Sequence, residues 1–381
     1  MQNQIAASIE SHFAWMDDPR IDRTKDHPLI NILVIAICGV INGADGWTDI
    51  EDFGKAKQDW FSRFLDLKNG IPSHDTFGRV FGRIDPEQFQ QGFLSWMQAV
   101  QQVLPGTVIP IDGKQLRGSH DRKLGKNAIY MVSAWSEANH LVLGQYQVDE
   151  KSNEITAIPK LLNVLDITGC IVTIDAMGCQ TEIATQIVDG GGDYLLALKG
   201  NQGRLHEDTV WLFSSLRQNN FAQVEHDFCQ IHNQGHGRIE ARQCWTIDPH
   251  QWPEHFRTLD DWKDIQSIAM IHSERREGDK VTQDTRYYIS SLEPHAETIL
   301  HAKRAHWGIE NGLHWVLDIA FREDASRIRT DHAPANMAVL RHIALNLLKQ
   351  EATSRRGVRA KRLRCGWDES YLLKVLKAGF H

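Results

Sequence analysis

The stretch CIVTIDAMGCQTEIATQIVDGGGDYLLALKG, residues 170–200, decides how we interpret the fold. Its apolar run Cys170–Ile174 is followed by a helical pattern over Gln180–Val188, by glycines at 190–192 and by a second apolar run, Tyr194–Leu198. Short apolar runs separated by an amphipathic helical segment are typical of strands in an α/β protein. We therefore predict two strands here that are joined by one helix.

Neighbouring segments extend this unit into a mixed sheet. Strands are predicted at Val108–Ile111, Ile129–Trp135 and Leu141–Val148, and helices at Glu154–Leu165 and Gly203–Leu216. The order is three strands followed by alternating helices and strands, which describes a mixed sheet of the ribonuclease H type. The predicted fold class is α/β, a ribonuclease H-like mixed sheet with a helical N-terminal domain and a β-rich insertion.

The segments on either side of this core differ from it in the periodicity of their apolar residues. Before Pro105 the apolar residues recur three and four apart, which predicts helices. Within that part, Pro72–Ile84 with Ser73 as N-cap is predicted to belong to a helical hairpin rather than to a DNA-binding helix-turn-helix. The predicted boundaries are a helical N-terminal domain at 1–104, the core at 105–218 and 293–350, a β-rich insertion at 219–292 and a basic C-terminal tail at 351–381.

Composition limits the membrane association, the cellular compartment and the binding partners that we expect for the chain. The apolar run Leu29–Ile41 is shorter than the ~20 residues that span a bilayer, so it predicts a buried helix and no membrane. Without a secretion signal and without a CxxC pair, the six cysteines indicate reduced thiols and a cytoplasmic location. The net charge of −7 is unfavourable for binding nucleic acid, but Arg341–Arg364 is strongly basic. That cluster is either a solvated helix end or a contact for phosphates.

Three acidic residues are the candidates for chemistry. Asp112 and Asp175 each end an apolar strand, and Glu310 lies in the helical stretch RAHWGIENGLHWVLD, residues 304–318. Either aspartate alone is more simply a turn or helix-cap residue. In a ribonuclease H-type sheet the first and fourth strands are neighbours, so the two carboxylates emerge together and a late helix can add Glu310. Such a hard oxygen site suits two Mg²⁺ or Mn²⁺ ions about 4 Å apart, which serve phosphoryl transfer.

Long phrases of the chain also resemble a known family. The phrases IPIDGKQLRGS, DEKSNEITAIPKLL, TIDAMGCQTEIA, GGDYLLALKGNQGRLHE, RYYISSL, HWGIENGLHWVLD and RHIALNLLK resemble the DDE transposases of bacterial insertion sequences, particularly the H repeat-associated group linked to Rhs elements. The resemblance covers nearly the whole chain. It implies metal-dependent cutting and joining of DNA, and it places the catalytic, metal-binding acids at Asp112, Asp175 and Glu310.

One feature departs from the broader family. Its Glu is often surrounded by Tyr, Arg and Lys, seven and four residues before it and seven after it. This chain has Lys303, His306 and Leu317 at those positions. The departure concerns the contacts with DNA ends and leaves the metal site as a hypothesis.

Further polar and aromatic residues are candidates for binding DNA, each with a structural alternative. Exposed turns account equally well for the basic residues after Asp112, and a core pair accounts better for the tryptophans at 307 and 315. A zinc site at His306 and His314 is disfavoured, because no third ligand has suitable spacing. Arg238, Glu240 and Arg242 fit a salt-bridge network. The DNA-binding candidates are Lys114, Arg117, Lys199, Asn201, Arg304, His306, Asn311 and Trp315.

The predicted function is therefore DNA transposition by strand cleavage and transfer at insertion-sequence ends. The partners are double-stranded DNA, as element ends and target, and a second copy of the chain in a homodimer on DNA, where the protein associates with the bacterial nucleoid. Two alternatives stay open. One is a DNA-binding relic without catalysis, and the other is a metal-dependent nuclease without strand transfer.

Overall fold

A computed structural model of the chain describes residues 2–100, 104–120, 125, 127–148, 154–235 and 237–378. The start of the DEKSNEITAIPKLL phrase, residues 149–153, lies outside this range. The described residues form one nine-stranded sheet with the order β3-β2-β1-β4-β5-β9-β8-β7-β6. Its strands are β1 Val108–Gln115, β2 Tyr130–Ser136, β3 Leu141–Val148, β4 Ile171–Ile174, β5 Asp193–Leu198, β6 Asp227–Gly235, β7 Arg238–Ile247, β8 Ser267–Glu277 and β9 Lys280–Ser290.

The first five strands confirm the predicted mixed sheet. β1 pairs with β2 in antiparallel and with β4 in parallel orientation, and β4 pairs in parallel with β5. The apolar runs are buried on both faces, as expected for parallel strands covered by helices. Because β1 and β4 are neighbours, residues that follow them meet at one edge of the sheet.

Helices cover both faces of the sheet and form a separate helical layer beside β3. α7, α8 and α9 share one apolar core with the sheet, and α10 packs on the other face. The helices are α1 Gln2–Phe13, α2 Leu29–Ile41, α3 Trp47–Ala56, α4 Gln58–Phe61, α5 His74–Arg83, α6 Pro86–Val100, α7 Glu154–Leu162, α8 Thr181–Asp189, α9 Gly203–Gln218, α10 Ala296–Ile309, α11 Trp315–Phe321, α12 Ala333–Gln350, α13 Val358–Trp367 and α14 Glu369–Lys377.

The strands between residues 219 and 292 continue the core sheet. β6 to β9 form an antiparallel meander, and β9 pairs with β5 through Leu195↔Ser290 and the three following residue pairs. The sequence predicted a β-rich segment here, and its first strand, β6, has half-buried and exposed residues in alternation along most of its length. The β-rich segment therefore lengthens the same sheet and brings β9 close to the end of β5.

Helix α12 joins the sheet to the N-terminal helices. Its buried Asn346 accepts a hydrogen bond from Val142 N and donates one to Val142 O on β3, both at 2.9 Å. Near its start, Asn336 donates to the carbonyls of Phe81 and Ile84. These paired amides fix the helical layer against the edge of the sheet, because an unpaired buried amide is costly.

The N-terminal helices follow the predicted pattern. Leu29–Ile41 is the helix α2, buried along nearly its whole length. Ser73 caps α5 by accepting from Thr76 N, and the apolar face of α5 is buried. Across the described ranges, every helix falls short of the length and apolar character that a membrane span requires.

Residues 351–378, the described part of the predicted basic tail, form packed helices instead of a tail. They contain α13 and α14, which pack on the helical layer with α12. Lys361 and Arg362 are buried and donate to backbone carbonyls, among them Leu348 O and Val40 O. Charge patterning alone missed this, because the long side chains of Lys and Arg can cap the carboxyl ends of neighbouring helices.

Candidate active site

β1 and β4 place two aspartates side by side. Ile111 and Ile174 are direct partners in the parallel pair, so Asp112 and Asp175 are the next residues on adjacent strands. Asp112 lies inside β1, which continues to Gln115 rather than ending at residue 111 as predicted. Asp175 ends its strand and caps the short 3₁₀ helix 176–178, where its Oδ1 accepts from Met177 N at 3.0 Å.

Glu310 reaches this edge because α10 crosses the face of β1 and β4. At Glu310 the helix widens into one π-helical turn, Glu310–His314, before α11 continues it. Gly312 in this turn is a site of close approach, since a Cβ there would lie 2.8 Å from the ring of Trp135. Single π turns in helices occur often at functional sites.

The π turn brings His314 between two carboxylates. Its Nδ1 lies 3.1 Å from Glu310 Oε2 and 3.6 Å from Asp112 Oδ2. Ligand atoms of these three residues all fall within 4.8 Å of one another. Two carboxylates and one imidazole are a donor set that binds divalent cations, so these residues fit a metal ion. His306, in contrast, is directed to Thr173 Oγ1 at 2.9 Å.

The charge balance at Asp112 also favours a cation. Burial raises the pKa of the Asp112 carboxyl to about 7. Neighbouring carboxylates add to the shift, and they belong to Glu154, Asp175 and Glu310. Four acids thus share one half-buried region, and like charges so close together are stabilised by a bound cation.

Glu154 is a member of this group that the sequence analysis missed. It is buried at the start of α7, where Tyr130 Oη donates to its Oε1 at 2.7 Å. Gly113 makes room for it, because a Cβ at that position would lie 2.4 Å from Glu154 Oε1. The sequence did offer a signal for Glu154, because it is an acid at the start of a predicted helix within the phrase DEKSNEITAIPKLL. We regard Glu154 as a neighbour of the three candidate acids on the opposite face of β1.

Lys114 is not free to contact DNA phosphates, which corrects the role suggested for it. Since β1 continues past Asp112, Lys114 points to the same face two residues later. Its ammonium donates to Asp318 Oδ1 at 2.5 Å and to Glu323 Oε2 at 2.9 Å. Lys114 therefore links the strand of Asp112 to helix α11, which directly follows the turn that carries Glu310.

Asn201 and His306 are also engaged inside the protein. Asn201 Nδ2 donates to Ala176 O at 2.7 Å, which holds the loop after Asp175. His306 is largely buried, and burial lowers its pKa, so the imidazole is neutral near pH 7. Both side chains are placed to support the site rather than to reach outward.

The remaining candidates lie at the surface around the site. Lys199 and Arg117 are exposed, the latter 3.6 Å from Asp324. Asn311 is exposed and donates to Trp307 O, while Arg304 donates to Asn233 Oδ1 at 3.4 Å.

The aromatic pair corrects a further prediction. Trp307 is 52% and Trp315 59% exposed, so the core role favoured for them is wrong. Helical spacing alone could not reveal which face α10 and α11 bury.

Farther along the sheet, Glu240 bonds Arg242 at 2.6 Å and lies 3.5 Å from Arg238. All three residues belong to β7, so the salt-bridge network runs along one strand and does not cross between strands as predicted.

Comparison with known proteins decides the family. The family model described as the transposase DDE domain matches residues 104–347, and the model of its associated domain, DDE_Tnp_1-associated, matches residues 10–97. The chain belongs to the DDE transposase family. The predicted resemblance is thereby confirmed.

Relatives of this transposase align over nearly its whole length. YhhI of Escherichia coli K12, whose name places it among H repeat-associated transposases, is 42% identical over 97% of both chains. YncI of Escherichia coli O157:H7, also named as a transposase, is 42% identical over 97% of this chain and 94% of its own. Among solved structures, a piggyBac transposase synaptic complex with hairpin DNA aligns with a TM-score of 0.41 at 12% identity, covering 99% of this chain and 80% of that one.

Proposed function

We propose that this transposase cleaves DNA strands at the ends of an insertion sequence and joins them to target DNA. Asp112, Asp175 and Glu310 are the catalytic carboxylates in this proposal. The observation that supports it is that Asp112 lies beside Asp175 on the neighbouring strand and has Glu310 and His314 within 4.8 Å of its ligand atoms. Membership of a DDE transposase family supports the same assignment.

The cofactor we propose is Mg²⁺ or Mn²⁺, as two ions held by the three carboxylates, with His314 beside them. Such ions supply an activated water or 3′-hydroxyl and stabilise the leaving oxygen of an in-line phosphoryl transfer. The protein's own part is positioning. His314 bonds Glu310 and approaches Asp112, and Lys114 fixes the strand against α11.

In the first step water attacks the phosphodiester at the element end, and a 3′-hydroxyl leaves. In the second step that hydroxyl attacks a phosphodiester of the target. Each step breaks one phosphorus–oxygen bond and forms one, so neither needs an external energy source. A covalent protein–DNA intermediate is not required, because the attacking groups are water and DNA hydroxyls.

Nicking of DNA that carries the element's terminal repeats tests the proposal. With Mg²⁺ or Mn²⁺ present, the wild-type protein should nick this DNA, and Asp112→Ala or Asp175→Ala should abolish nicking while the thermal unfolding transition persists. Asp52→Ala, which removes an exposed acid on α3, is the matched control. Nicking that survives either active-site change would show that the assignment is wrong.

The proposed partners are double-stranded element ends and target DNA, with two copies of the chain bridging two ends as a homodimer. Light scattering of the protein with and without a terminal-repeat duplex measures this directly. A mass of one chain per duplex at saturating protein would contradict the dimer. A second assay, joining of a pre-cut 3′-hydroxyl end to a plasmid, separates a transposase from a nuclease without strand transfer.

A further inference from the structure

The two edge strands of the nine-stranded sheet differ in what lies against them. At β3, Asn346 hydrogen-bonds both the N–H and the C=O of Val142, and helices α6, α7 and α12 pack against the strand. The other edge strand is β6, Asp227–Gly235. On its inner side β6 pairs with β7 in an unbroken register over all nine of its residues. It is therefore a long and regular edge strand.

Phe228 shows which backbone groups of β6 are directed outward. Its N–H donates to the neighbouring Asp227 Oδ1 at 2.8 Å, which places it on the side away from β7. Because residues of an antiparallel strand alternate between its two sides, Gln230, His232 and Gln234 direct their N–H and C=O groups outward as well. Within the described part of the chain, no hydrogen bond reaches these three residues on that side. Such a row of unpaired groups can pair with another strand.

β6 also lacks the features that protect edge strands from pairing. Proteins protect such edges with charged residues, with proline or with a bulge. Residues 228–235, FCQIHNQG, contain no Lys, Arg, Asp, Glu or Pro. The neighbouring strand β7, by contrast, carries Arg238, Glu240 and Arg242. A charged partner strand would find no opposite charge on β6, whereas a second copy of β6 is uncharged over the same residues.

The register centred on Ile231 lets two copies of β6 pair over the whole strand. Phe228, 44% exposed, then lies opposite Gln234 of the second copy. That Gln234 is paired in its own chain with Ile239, which is 47% exposed on the same face of the sheet. The pairing thus brings two exposed apolar side chains to neighbouring parts of one surface. It places no like charges opposite each other, because Asp227 meets a glycine.

We propose that two copies of the chain pair through their β6 strands, antiparallel about Ile231, and form one continuous sheet across both chains. Main-chain pairing at an exposed edge is a recurring mode of strand recognition. Four strands lie between β6 and β4, the strand that ends at Asp175, so the interface is separate from the proposed catalytic acids. It goes beyond the proposed homodimer on DNA, because it needs no DNA and names the residues in contact.

Sedimentation velocity of the DNA-free protein in EDTA tests the pairing. Small interfaces give weak association, so the wild type should change from monomer to dimer between about 1 and 100 µM. His232→Pro removes one outward N–H from each chain and keeps the pairing with β7, since proline is tolerated where the N–H lies outside the ladder. The loss of two hydrogen bonds should weaken the dimer roughly tenfold or more. His232→Ala keeps the N–H and should dimerise as the wild type does.

A pair of double variants tests the register with side chains alone. In the proposed dimer, residue 230 of each chain lies opposite residue 232 of the other. Gln230→Lys combined with His232→Lys therefore sets like charges opposite each other twice and should weaken the dimer. Gln230→Lys combined with His232→Glu sets opposite charges there and should restore it. Both side chains are exposed, so these variants decide the question if His232→Pro does not fold.

Two results would overturn the inference. One is a wild type that stays monomeric over the whole concentration range, and the other is a dimer that withstands both His232→Pro and the double lysine change. Failure of the proposed homodimer on DNA looks different. If the free protein dimerises through β6 but one chain binds each terminal-repeat duplex, only the homodimer on DNA fails. If the free protein is monomeric and two chains bind the duplex, only the β6 pairing fails.

Discussion

Replacing Asp112 with Asn should stabilise the metal-free protein at pH 8. In the folded chain, burial and the neighbouring acids raise the pKa of this carboxyl to about 7, against an ordinary value near 4. The folded state therefore holds a proton that the unfolded chain releases, and stability falls as pH rises from about 4 to about 7. Asn cannot ionise, so the variant escapes this loss.

The size of the stabilisation follows from the rise in the pKa of Asp112. A rise of about 3 units corresponds to at most ~4 kcal/mol, at roughly 1.4 kcal/mol per unit. The side chain is 28% exposed, so water screens part of this, and we expect about 1–3 kcal/mol. The difference between variant and wild type should be small at pH 4, grow up to pH 7 and stay constant above it.

Metal should reverse the order of stability. A cation that binds the ionised acids stabilises the folded wild type, by ~2.7 kcal/mol at a concentration one hundred times its Kd. Asp112→Asn removes one of the carboxylates that hold it and should gain much less. Thermal unfolding at pH 8 with EDTA and then with Mn²⁺ gives both comparisons, and Asp52→Asn serves as the exposed-acid control.

The reasoning fails if Asp112→Asn unfolds at the same temperature as the wild type, or below it, at pH 8 in EDTA. It also fails if Mn²⁺ raises the unfolding temperatures of both proteins equally. The first result would show that the folded state does not raise the pKa of Asp112, and the second that Asp112 does not hold the ion.

Three other substitutions probe the supports of the site. Lys114→Met should cost about 3–5 kcal/mol in urea unfolding, because it leaves the buried carboxylate of Glu323 without its closest cation. Gly312→Ala should cost about 1–3 kcal/mol and weaken Mn²⁺ binding measured by calorimetry, since the added methyl group meets Trp135 at 2.8 Å. Trp315→Ala should change the free energy of unfolding by less than about 0.5 kcal/mol, because 59% of the side chain is already exposed.

The local pattern of apolar residues and turns was sufficient to predict the strands of the central sheet. The strands β1 to β5 are short apolar runs bounded by turns, and their order with the intervening helices restricts the topology strongly. The convergence of Asp112 and Asp175 follows from that topology, because residues after two neighbouring parallel strands emerge at the same edge. The sequence predicted the ends of strands and helices less accurately, and Lys114 at the end of β1 is an example. The strand β1 continues four residues farther than predicted, so Lys114 is a largely buried link and not an exposed turn residue.

Contacts between distant segments were beyond the sequence pattern. The pairing of β5 with β9 joins residues about ninety positions apart, and a strand of alternating polarity carries no mark of its partner. The burial of Lys361 and Arg362 depends on carbonyls at the ends of other helices. Glu154 was overlooked for the same reason, since its proximity to Asp112 depends on the fold and on the absence of a side chain at Gly113.

The surroundings of Glu310 explain how this chain can depart from the family signature. Leu317, at the position of the signature Lys, is 1% exposed and packs in the core shared with the N-terminal helices, so a lysine there would have to bury its charge. Lys303, at the position of the signature Tyr, lines a cleft that has Asp175 in its wall. The positive charge of Lys303 thus lies at the cleft before Glu310, and the buried Leu317 after Glu310 packs in the apolar core. We therefore expect contacts with DNA on the amino-terminal side of Glu310.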